Sequence, residues 1–190
     1  MYILLLLCSF VFIMASGSRE SVTRTIRIEK ANDIVLVQEA DRTGYSVNAL
    51  LGQIIRRYTQ YERFHSNGYN ISIEKNIFVD FLNHLSEDAL IEIAERSGAE
   101  NINQSLLQKG MPVTLDNGLM FVRQSLGEYQ AWFRCDLHLE NGVYNILCTH
   151  NNGRKWSVFI RYYISSFFEG VLNKKVDTVI QPKSVHFKIR

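Results

Sequence analysis

The chain has 190 residues, enough for one ordinary domain or for a small module joined to a domain of about 100–150 residues. An apolar share of 46% and an aromatic share of 12% point to a packed core and exclude a disordered tail. The formal net charge is only +2, which excludes a polybasic nucleic-acid coat and leaves any nucleic-acid contact to locally placed charge.

The opening run, Tyr2 to Met14, is uncharged and almost continuously apolar. At about 13 residues it is too short for a hydrocarbon layer of roughly 30 Å, which needs about 20. It has the apolar character of a secretion signal, with small residues at Ala15-Ser16-Gly17, but no Lys or Arg precedes it. Translation beginning at Met14 would instead give a polar leader. The expectation is a leader over 1–21 with Met14 as the true start, no membrane partner and a cytoplasmic protein. The cysteines, at 8, 135 and 148, are odd in number, which speaks against a disulfide scaffold and fits reduced thiols.

From Val22 the chain reads Val-Thr-Arg-Thr-Ile-Arg-Ile-Glu, with Ile26 and Ile28 alternating with Thr25 and Arg27. That is the period of a strand with one buried face. No second strand follows nearby, so the strand needs another copy of the chain to satisfy its backbone. This predicts a two-fold homodimer with a two-stranded antiparallel ribbon. A first helix is predicted over Asn32 to Arg42, too apolar to be largely solvent-facing, and Thr43-Gly44 ends it. Ser46 supplies an N-cap for a second helix, whose apolar stripe is Leu50, Leu51, Ile54, Ile55 and Tyr58.

Strand, helix, Gly-x-Ser and amphipathic helix, in that order and spacing, resemble the ribbon-helix-helix fold of the Arc and MetJ type repressors. Ser46-Val47-Asn48 after Gly44 matches the family's pattern at the start of the second helix. The resemblance covers residues 22–64, about a quarter of the chain, and it implies major-groove recognition of double-stranded DNA by the ribbon. The base-reading side chains would be Thr23, Thr25 and Arg27, because Ile26 and Ile28 must face the helices. Arg27 is the strongest of these, since a guanidinium can pair with guanine O6 and N7. Ser46, Val47 and Asn48 would clamp a phosphate at the helix N-terminus, and Arg24 and Lys30 would add attraction to the backbone. Antitoxins share this fold, so the alternative to a regulator is a protein-interaction module whose C-terminal part binds a partner protein.

A polar linker is expected over 65–70 and a second domain over 71–190. Its elements read as a long helix from Ile77 to Ala94 and an unclear stretch from Ser97 to Pro112. Met120 to Gly127 suits either helix or strand. Alternating runs then flank Asn141-Gly142, the dipeptide of a tight hairpin. That hairpin pairs Leu139 with Tyr144, Leu137 with Ile146 and Cys135 with Cys148. An aromatic helix follows from Arg154 to Leu172, then a terminal strand at Val185 to Ile189. The two cysteines, with His150 beside Cys148, invite a metal-site or redox reading. Small buried core residues are the plainer reading and the preferred one.

The fold class expected is therefore α+β: an N-terminal ribbon-helix-helix module, then a domain with an antiparallel sheet and flanking helices. That domain would sense a small molecule, bind a partner protein or mediate oligomerisation, including higher oligomers on DNA. No nucleophile elbow, phosphate-binding glycine loop or zinc-type cysteine pairing is present in the sequence. No catalytic residue, metal site or cofactor is expected.

Overall fold

The computed structural model describes residues 21–64 and 72–190. Residues 1–20 of the leader read over 1–21, and the linker read over 65–70, lie outside the described residues. The chain divides into two compact units, one ending at Ile55 and the other running Arg56–Arg190, so the division falls inside a helix. The fold class is α+β, with six α-helices and a four-stranded antiparallel sheet among the described residues.

In the first unit, residues 21–29 carry no regular secondary structure, and the first strand among the described residues begins at Arg134. The strand read over 22–29 therefore has no ladder within one chain. Helix α1 spans Lys30–Thr43, slightly longer than predicted. It ends as glycine permits: Gly44 sits at φ 72°, and the Tyr45 N–H returns to the Ala40 carbonyl at 3.0 Å. Helix α2 spans Val47–Gln60, and the Ser46 Oγ accepts the Ala49 N–H at 3.2 Å, the expected N-cap. The expectation that α1 is mostly covered does not hold within one chain. Ala40 is the only buried residue of α1, and α2 has none.

The second unit begins with the end of α2 and a 3-10 turn at Glu62–Phe64. The single helix expected over Ile77 to Ala94 is two helices, α3 (Lys75–His84) and α4 (Glu87–Gln108). Ser86 is the break: its Oγ accepts the Ala89 N–H at 3.1 Å, with Glu87 and Asp88 complementing the first turn. Helix α4 also absorbs most of the unclear stretch from Ser97 to Pro112. Gly98 does not end it. Helix α5 (Leu115–Met120) runs directly into a π-helical segment, Phe121–Tyr129, so Met120 to Gly127 is helical.

Strands β1 (Arg134–Glu140) and β2 (Val143–Thr149) form the predicted hairpin in the predicted register. Asn141 and Gly142 both have positive φ, 50° and 77°, as a type I′ turn requires. Helix α6 (Arg154–Gly170) precedes a second hairpin, β3 (Val176–Gln181) and β4 (Ser184–Ile189). Only β4 was expected. The sheet order is β1-β2-β4-β3, with β2 and β4 antiparallel at the centre.

One face of the sheet is packed. Ile146, Cys148, Val185, Phe187 and Ile189 join Ile160, Ile164, Phe167 and Phe168 of α6 in the core. Leu90, Ala94, Ile102 and Leu106 of α4 join them, as do Leu119, Phe121, Val122 and Leu126 of α5 and the π-helical segment. Gly98 explains how α4 and α6 approach so closely: a Cβ there would stand 2.0 Å from the Tyr163 carbonyl oxygen. Among the described residues no helix is long and apolar enough to cross a membrane.

Candidate nucleic-acid interface

The predicted base-reading residues Thr23, Thr25 and Arg27 lie on the unpaired segment before α1, and all three are exposed. Arg24 and Arg27 bring positive charge to a segment, 21–28, that holds no acidic residue. Among the described residues neither arginine joins an ion pair, whereas Arg42 is held by Glu39 at 2.8 and 2.6 Å. That pairing holds the Glu39 carboxyl below its usual range. A guanidinium tied to a neighbouring carboxylate has less to offer a phosphate than a solvated one.

The start of α2 gathers the predicted phosphate residues. Ser46 and Asn48 are exposed and Val47 is half-buried. The first N–H groups of a helix lack partners within it, so they point outward with the positive end of the helix dipole. The Ser46 Oγ already serves the Ala49 N–H, which orients it and leaves the N–H groups of Val47 and Asn48 as the natural anion donors.

The dominant feature of this stretch is apolar. Ile26 is 60% exposed, Val35 60%, Ile54 47%, Ile55 59% and Tyr58 57%, with Val22, Ile34 and Val37 also open. Two helices of 14 residues each that bury a single alanine leave their apolar stripes without a core.

The second unit offers a different surface. The outer face of the sheet forms an open concavity of about 500 Å³, lined by His138, Asn145, Leu147, Val179, His186 and Lys188 among others. Asn145, although on the outer face, is 7% exposed, folded back with its amide on the Val143 carbonyl. Burial lowers the His186 pKa, and Lys188 and His138 lower it further. The sequence does not assemble this face, because β3, which supplies Val179 and Gln181, sets Val179 beside Ile180 and lacks a strand's clean alternation. Behind the sheet, His150 Nε2 meets Ser157 Oγ at 2.9 Å, and Ser157 Oγ donates to the Gln181 carbonyl at 2.6 Å. His150 is thus engaged in joining α6 to the sheet. Among the described residues no three His, Cys, Asp or Glu side chains gather as a metal-holding group.

Compared with known proteins, the chain matches no protein-family model and no curated protein.

Proposed function

We propose that this chain is a dimeric, cytoplasmic DNA-binding transcriptional regulator of the ribbon-helix-helix kind. Residues 22–29 pair with the same segment of a second copy, and the ribbon so formed enters the major groove. Thr23, Thr25 and Arg27 read base edges there, and Ser46, Val47 and Asn48 hold a phosphate with help from Arg24. The observation that carries the reading is the uncovered apolar surface of residues 22–58. Burying side chains such as Ile26, Ile54 and Ile55 against a second copy gains roughly 1.5–3 kcal/mol each, which a lone chain forgoes. Dimerisation would give the unpaired segment a partner strand and the helices a core in one step. In this reading the second unit senses a ligand or mediates oligomerisation.

Selection of DNA sites from a random pool, with the wild-type chain and with Arg27→Ala, tests the proposal. The wild type is expected to sediment as a dimer and enrich a two-fold related site. Arg27→Ala should lose about 1–3 kcal/mol on that site and less on unrelated DNA. Ile54→Asp should shift the chain to monomer and remove site preference. A purified dimer that enriches no sequence would sink the reading.

A further inference from the structure

We propose that Cys135 is a hydroperoxide-reactive thiol whose oxidation is resolved by Cys148, closing a disulfide across β1 and β2. The register sets the two residues directly opposite each other. Hydrogen-bonded and non-hydrogen-bonded pairs alternate along an antiparallel ladder, starting from the hydrogen-bonded pair Glu140 and Val143 that closes the two-residue turn. Stepping back along β1, Cys135 and Cys148 fall on a non-hydrogen-bonded pair. Such pairs hold their Cα atoms about 4.5 Å apart, inside the range of about 4.4–6.8 Å that a disulfide spans. Both side chains project from the packed face of the sheet, so no rotation of either strand is needed.

The two thiols are not equivalent. Cys148 is fully buried, while Cys135 is only half-buried. Gly127 of the π-helical segment lies over Cys135, and a Cβ there would stand 3.2 Å from the Cys135 Cβ. Glycine at that position puts no side chain of its own against the thiol. The neighbouring Cys148 thiol holds Cys135 below the usual thiol range against the opposing effect of its burial. Arg123 also lowers it, and Asp136 raises it. Burial pushes Cys148 well above the usual range. One sulfur is therefore suited to attack and the other to wait.

In the first step the Cys135 thiolate attacks a peroxide oxygen. The S–O bond forms as the O–O bond breaks, and the alkoxide leaves as an alcohol after taking up a proton. In the second, the Cys148 sulfur attacks the sulfenic sulfur of Cys135. The S–S bond forms as the S–O bond breaks, and water leaves with the Cys148 proton. The dithiol loses two electrons and the hydroperoxide gains them. Cys148 needs no access to solvent, because its oxidant arrives through Cys135.

The test uses the full chain carrying Cys8→Ser, so that these are its only cysteines, treated with hydrogen peroxide and mapped by non-reducing peptide mass spectrometry. The expected product is a Cys135–Cys148 linked peptide that dithiothreitol reverses. Cys148→Ala should leave Cys135 as a sulfenic acid trapped by dimedone, and Cys135→Ala should leave Cys148 unmodified over the same interval. Two free thiols in the treated parent, or equal oxidation of Cys148 in Cys135→Ala, would overturn the proposal. The parent measurement alters neither cysteine, so the outcome does not depend on a variant folding.

Discussion

The Lys109 ammonium donates to the Ser125 hydroxyl at 3.0 Å and faces the rings of Phe121, Phe64 and Tyr61 at 5.4, 5.8 and 5.9 Å. Lys109 caps the C-terminal end of α4, where the helix dipole favours a cation. The aromatic faces favour it as well, but removal from water does not, and burial lowers its pKa to about 8.

Between about pH 8 and pH 10.5 the folded chain has released this proton while the unfolded chain still holds it. Stability contributed by this site should therefore rise with pH across that window. Thermal unfolding of the wild type and of Lys109→Met, followed from pH 7 to pH 10, isolates it. The wild type should gain relative to the variant as pH rises, and parallel curves would count against the assigned shift.

Gly98→Ala should be the most disruptive single-methyl change in the second unit. Its Cβ would meet the Tyr163 carbonyl oxygen at 2.0 Å and the Ser166 Oγ at 2.5 Å, and the backbone contact cannot turn aside. Separating α4 from α6 should cost about 3 kcal/mol in chemical denaturation. A loss near zero would mean that the two helices do not meet at this glycine.

The acid limb of stability should carry the mark of His150. The Asn152 N–H donates to Nδ1, so the neutral ring keeps its proton on Nε2, facing Ser157. Burial, reinforced by Lys75, lowers the ring's pKa from 6.5 to about 4. In this window the unfolded chain binds the proton and the folded chain does not. The contribution is whole above pH 6.5 and is lost as pH falls toward 4. Proton NMR of the five histidines should find the His150 ring titrating near pH 4, and a midpoint near 6.5 would contradict the arrangement.

Much of this fold was legible where a local signal and its consequence lie close together. Gly44 and Ser46 stop one helix and start the next, and Asn141-Gly142 fixes the register of a hairpin down to its cysteine pair. What escaped depended on distant chain. The role of Gly98 exists only once α6 is laid against it, and the apolar spacing that runs on past Ser86 hides the break there. Strand β3 breaks apolar alternation at Val179-Ile180, and its identity comes from pairing with β4. The proposed DNA-reading residues are a special case. Their chemistry is plain in the sequence, but in the single chain residues 21–29 carry no regular secondary structure, and the strand that presents them belongs to the proposed dimer.

The sheet order leaves β1 and β3 as outer strands, each with backbone groups open to a newcomer. On β1 the side chains facing away from the core are Arg134, Asp136, His138 and Glu140, all exposed, with Arg134 and Asp136 paired at 3.6 Å. A fifth strand laid there would strip water from this row of ionisable groups and meet mixed charge at every second position. The β1 edge thus resists runaway strand addition, the usual route from an open sheet to fibrils. At high concentration strand addition should be disfavoured at this edge.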